Sequence, residues 1–157
     1  SENKVPFIAA VQTNNQGHPL YAVFSTVKSF CKEEVETWAK SFLAPSALIV
    51  SDGLWCFQAV EAAGCVHQRE VVGKDRKSTS MKCFTWINTV LGNLKNSITG
   101  TYHAFDFEKY AYRYLGEFQY RFNRRFDLAG MLKRLVVAAV KTKKLPEAKL
   151  RQAEDWR

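Results

Sequence analysis

Two apolar, β-branched runs held apart by one dense turn signal constrain this chain most. Val5–Thr13 (VPFIAAVQT) and Leu20–Val27 (LYAVFSTV) flank NNQGHP, whose Asn, Gly and Pro residues favour chain reversal, so the pair reads as an antiparallel hairpin. Helix-spaced and strand-like segments then alternate. Lys32–Leu43 places Val35, Trp38, Ala39 and Phe42 on one helical face, and Ala44-Pro45 ends it. Ala47–Val50 is a short, wholly apolar strand of the kind buried on both faces of a sheet. Leu54–Ala63 reads as a helix with Gly64 as its C-terminal cap, and Cys65–Val72 returns as a strand. A hairpin followed by strand–helix alternation predicts an α/β domain with a mixed sheet.

After the polar loop Gly73–Ser80 the pattern turns helical from Phe84, breaks at Gly100-Thr101, and resumes near Asp106, whose carboxylate suits an N-cap. Phe107, Tyr110, Tyr114, Phe118 and Phe122 fall at three- and four-residue spacing, a stripe that fits core packing better than a base-stacking platform. Leu128–Val140 forms a further amphipathic helix. These segments make one domain over residues 1–140, with a basic polar tail over 141–157 that loses apolar periodicity and is expected to be partly disordered. There is no internal repeat.

With 157 residues, 46% of them hydrophobic, the chain can bury a core without disulfide or metal staples. The net charge of +8 is uneven, concentrated in Arg121–Arg125 and towards the C-terminus, and favours a polyanionic partner, most simply nucleic acid. An ordinary solvated surface accounts for the charge equally well. Cys31, Cys56, Cys65 and Cys83 form no CxxC pair and sit in apolar segments, as reduced core residues of a cytoplasmic protein do. No apolar run approaches the roughly 20 residues of a membrane span, and no secretory signal is present.

Several residues could carry chemistry. Asp52 stands where an apolar strand gives way to a helix, the end of an open sheet where functional groups collect, and Gly53 leaves room for a metal or phosphate. The plainer reading is that Asp52 caps the following helix. Asn88 and Lys95 lie seven residues apart, two helical turns, and so share a face with Gly92 between them. An Asn and a Lys at such positions are ordinarily solvated. His67 and His103 are each more often structural hydrogen-bonding groups than catalysts. Arg121, Arg124 and Arg125 cannot all face a core, so some must meet solvent, an acidic partner or phosphate.

Taken in order, VSDG (Val50–Gly53), Val66-His67, the Asn88/Lys95 pair, GTYH (Gly100–His103) and RFNRR (Arg121–Arg125) resemble the catalytic domain of a bacterial insertion-sequence transposase. The resembled family belongs to the DDE superfamily, in the branch where Asn often replaces the third acid, and the likeness runs from Lys4 to about Leu135. It implies a ribonuclease H-like mixed sheet flanked by helices, with a helical C-terminal part. It also implies DNA cutting and joining by phosphodiester transfer with Mg²⁺ or Mn²⁺. Asp52 and Asn88 would be metal ligands, Lys95 and the three arginines DNA contacts, and His67 and His103 secondary candidates. DNA would be the partner, and the full-length transposase a homo-oligomer without a membrane anchor.

The family's first catalytic Asp precedes the position corresponding to Ser1, and nothing in Ser1–Val11 replaces it. The chain therefore resembles an excised piece lacking its first catalytic strand and inactive alone. A non-catalytic nucleic-acid-binding domain, or an inactive transposase remnant of the same fold, is the alternative. An α/β domain that binds an acidic protein explains the charge but not the motif order.

Overall fold

Asn14 makes the first turn. Its Oδ1 accepts from the backbone N–H of Gln16 (3.0 Å) and His18 (2.9 Å), and Gly17 takes the left-handed φ of 81° that closes the reversal. The flanking strands, β1 (Phe7–Thr13) and β2 (Pro19–Thr26), pair antiparallel with Ala9 opposite Phe24 and a register irregularity at Gln12/Thr13. The computed structural model describes residues 5–71, 81–102 and 106–153. Loop 73–80 and His103 lie outside them.

Alternation along β1 sends side chains to two different cores. Ile8 and Ala10 join Val27, Val35, Trp38, Ala39, Cys56 and Val60 on one side. Phe7, Ala9 and Val11 join Phe24, Val90, Leu94, Leu115 and Phe118 on the other. The hairpin is thus the middle layer of three. Helix α1 (Lys32–Phe42) and the segment Trp55–Ala63 cover its first face, and α2 (Thr85–Thr101) and α3 (Phe107–Asn123) cover its second.

The helix expected here forms over Trp55–Ala63 and winds as a 3₁₀-helix, and Gly64 caps it as predicted with φ 80°. It links β3 (Leu48–Ser51) to β4 (Val66–Arg69), which run parallel with Ile49 opposite His67 and Ser51 opposite Arg69. The described strands form two separate two-stranded sheets instead of one mixed sheet. Neither β1 nor β3 has a second strand partner among the described residues. The two pairs meet through side chains, with Ala47 and Ile49 packing against the cluster that holds Ile8. For the same reason β3 is not buried on both faces: Leu48 is 61% exposed and Val66 beside it 58%.

Asp106 caps α3 by accepting from Lys109 N–H at 3.0 Å. The helix kinks at Tyr110 (φ −119°, ψ 16°), which shifts the fully buried line to Ala111, Leu115 and Phe118. Of the aromatic stripe, Phe118 is buried and stands edge-on to Phe24 at 5.6 Å, while Phe107 and Phe122 are partly buried beside it. Helix α4 (Leu128–Lys141), capped by Asp127, buries none of its residues. The tail, expected to be partly disordered, carries a short helix α5 (Glu147–Gln152), where Arg151 pairs with Glu147 one turn away. Cys56 and Cys65 are core residues as expected, but Cys31 is half-buried and Cys83 exposed. Among the described residues no helix is long and apolar enough to cross a membrane.

Candidate functional site

Asp52 leaves the carboxyl end of β3 exposed to solvent. Its Oδ1 accepts from Leu54 N–H at 3.2 Å, so it does secure the start of the 3₁₀ segment. Behind it, Ser51 Oγ lies 2.8 Å from His67 Nε2 and donates to the Asp52 carbonyl at 3.0 Å. The imidazole therefore acts as a hydrogen-bonding strut between β3 and β4.

The space beside Gly53, expected to admit a metal or phosphate, holds Arg69 and Val71. A methyl group on Gly53 would sit 3.5 Å from Val71 Cγ2 and 3.6 Å from Arg69 Nη2, an ordinary packing contact. Arg69 Nη2 donates to the Gly53 carbonyl at 2.8 Å. Sequence reasoning missed Arg69. The signal was its two-residue spacing from His67, which puts both on one face of β4.

Asn88 and Lys95 sit in a different layer, on the helix that covers the second face of the hairpin. Val90 and Leu94 carry the buried side of α2. By helical geometry the line Asn88–Gly92–Lys95 is turned away from that side. A methyl group on Gly92 would meet nothing within 4 Å, so the helix borders open space at that point. Asn88 is half-buried. Lys95 is exposed on the rim of an apolar groove formed with Phe7, Leu91, Ile98 and Phe107. His103 lies outside the described residues.

The RFNRR segment divides its labour. Asn123 Oδ1 accepts from Ala22 N–H at 2.7 Å while its Nδ2 donates to the Ala22 carbonyl at 2.9 Å. One turn earlier, Gln119 Oε1 accepts from Phe24 N–H at 2.8 Å. Two amide side chains thus imitate a neighbouring strand along the outer edge of β2. Arg125 extends the seal, donating to the carbonyls of Leu20 (3.1 Å) and Pro19 while its guanidinium packs on Phe122 and Phe126.

Arg121 is paired with Glu117, which raises its pKa, and donates to Ser97 Oγ at 2.7 Å. Two of the three arginines expected on DNA are therefore engaged by the fold. Arg124 is held only locally: its guanidinium stacks over Tyr120 at 4.1 Å, Nη1 donates to the Tyr120 carbonyl at 3.5 Å, and its buried Nε has no hydrogen-bond partner among the described residues.

A metal site can be tested against these donors. Among the described residues no group of three or more His, Cys, Asp and Glu side chains could hold an ion. Asp52 supplies one exposed carboxylate and Asn88, in another layer, one amide. These described donors do not make up a metal site by themselves.

Residues 1–123 match the family described as ISXO2-like transposase domain. No curated protein and no solved structure matches. The matched span includes the hairpin, the Asp52 turn, the Asn88/Lys95 helix and the edge-sealing Asn123, most of the chain. The chain therefore belongs to the ISXO2-like transposase domain family.

Proposed function

We propose that this transposase-family domain takes part in cutting and joining DNA by phosphodiester transfer, with Mg²⁺ or Mn²⁺ as the ion and Asp52 as one of its ligands. The observation that carries this reading is the placement of Asp52: an exposed carboxylate at the carboxyl end of a strand, on a turn held by Arg69 and by the Ser51–His67 pair. Asn88 would offer an amide oxygen, and the exposed Lys95 on α2 a cation for a DNA phosphate. When bound, the ions would stabilise the attacking and leaving oxygens of the transfer. A hard cation takes about six oxygen ligands, more than these described residues supply. What the chain's own residues do is hold the Asp52 turn and position DNA backbone.

A ribonuclease H-like frame and assembly as a homo-oligomer belong to the same proposal. The β2–β1 and β3–β4 pairs, which share one core cluster without strand pairing, would flank a further strand bearing the first acid.

Asp52→Asn in the complete transposase tests the reading, because the amide keeps an acceptor for Leu54 N–H and removes only the charge. Transposition frequency should fall on the order of 100-fold or more, as loss of several kcal/mol of charge stabilisation requires. An unchanged frequency would remove Asp52 from the chemistry. The sparse donor set favours a second reading, a nucleic-acid-binding domain without catalysis. It predicts DNA binding together with wild-type inactivity.

A further inference from the structure

The end of the RFNRR segment borders a cleft of about 490 Å³ between the start of β2, the end of α3 and the first turns of α4. We propose that this cleft binds an unpaired nucleotide of single-stranded DNA, its base against Phe126 and Tyr21 and its phosphate at Arg124 and Arg134. The proposal rests on the DNA-binding reading above and names the form of DNA that this surface takes.

Four observations converge on it. Phe126, in the turn before α4, is 89% exposed and Tyr21, on β2, 56%, so two aromatic side chains face solvent at one cleft. Arg125 packs on the Phe126 ring at 4.5 Å, fixing one side of it and leaving the rest open. Arg124, held over the Tyr120 ring with Nη1 on the Tyr120 carbonyl at 3.5 Å, and the exposed Arg134, which has no ion-pair partner among the described residues, bring two positive charges to the cleft. Asp127 is the one acid on the cleft among the described residues, and its Oδ1 is held by Gly130 N–H at 2.9 Å, so the cations there outnumber it.

Aromatic faces beside a cationic groove form the platform on which unpaired bases stack regardless of sequence. A duplex offers the same arginines its phosphates but keeps its bases stacked, so Phe126 and Tyr21 would gain nothing from it. An acidic peptide likewise uses the charge and wastes the rings.

The test measures fluorescence anisotropy of a labelled oligothymidine, a duplex of equal length and an abasic oligomer against the full chain. Phe126→Ala should weaken oligothymidine binding about tenfold, within the range for loss of one stacked base, and leave duplex binding unchanged. Phe126→Trp should restore it, and Tyr21→Ala should weaken it in the same direction. The abasic oligomer should bind wild type at least as weakly as oligothymidine binds Phe126→Ala. Arg134→Gln should weaken both DNA forms and lower the salt slope by about one. Equal losses on single strand and duplex, or no loss for Phe126→Ala, would overturn the stacking site. Wild-type binding to duplex alone would overturn it while leaving the DNA-binding reading intact. Binding to neither would overturn both. The exposure of Phe126 makes unfolding of its variants a minor concern, and a thermal melt checks it.

Discussion

The end of α3 and the turn at Asp52 both cluster polar side chains near strands, yet they spend them differently. At the end of α3, Gln119, Asn123 and Arg125 bond to main-chain groups of β2 and close its free edge. At the turn, the main-chain bonds span at most sixteen residues: Asp52 to Leu54 and Arg69 to Gly53, leaving the carboxylate in solvent. A polar side chain that replaces a missing strand partner is committed to the fold. One that makes a single local bond at a strand end keeps capacity for a ligand. Motif membership alone does not separate the two, because RFNRR holds both kinds: Asn123 and Arg125 on one side, Arg124 on the other.

The largest expected effect would break this comparison if it failed to appear. Asn123→Ala strips a donor and an acceptor from Ala22, whose residue is 3% exposed. Each buried backbone group left unpaired costs about 1–3 kcal/mol, so the loss should be about 2–4 kcal/mol in urea unfolding, a large part of a typical 5–15 kcal/mol. Gln119→Ala removes one acceptor and should cost about 1–2 kcal/mol. The two variants should couple, since each leaves part of the same edge to water. A loss below about 0.5 kcal/mol for Asn123→Ala would mean that water replaces the amide freely and that the edge is not sealed.

What was legible in the sequence follows from the same distinction. The Asn14 turn, the Gly64 cap and the Asp106 cap were readable because donor and acceptor lie within a few residues and the residue type states its role. The seal on β2 was not, because Asn123 and Ala22 are 101 residues apart. Nothing local to RFNRR points to the hairpin. Helical periodicity located the aromatic stripe of α3, but the kink at Tyr110 moved the buried line to Ala111 and Leu115. The 3₁₀ winding of Trp55–Ala63 has the same apolar signature as an α-helix and differs only in hydrogen-bond step. For the candidate site, Asp52 and its capping bond were anticipated, whereas Arg69 and the filled space beside Gly53 depend on the parallel pairing of β3 with β4.

An intermediate effect sharpens the boundary between the sealed edge and the projecting helix beyond it. Asp127 accepts from Gly130 N–H and caps α4, a helix with no buried residue to support it. Asp127→Ala should cost the helix about 1 kcal/mol, the usual value of an N-cap. Because α4 packs so little, the loss should appear as faster amide exchange along Leu128–Lys141 rather than as a shift in global unfolding. A fall in the global midpoint as large as that for Asn123→Ala would show α4 to be part of the core unit.

The smallest expected effect concerns Arg121, which the motif groups with Arg124 and Arg125 as a DNA contact. Its guanidinium is paired with Glu117, and both side chains are nearly half exposed, at 49% and 45%. The raised pKa comes first from the hydrogen bond with Glu117, and since arginine is charged across the working range the shift produces no pH-dependent stability near neutrality. Water screens such a pair, so its removal should cost at most about 0.5 kcal/mol. Arg121→Gln should therefore leave both unfolding and single-strand binding almost unchanged, while Arg134→Gln weakens binding. The acid partner settles the matter: Glu117→Gln releases the Arg121 guanidinium. If engagement by Glu117 is what keeps Arg121 off DNA, that substitution should tighten binding and steepen its salt dependence by up to about one unit. Tight binding lost in Arg121→Gln itself would instead place this arginine with Arg124, on the side of the ligand.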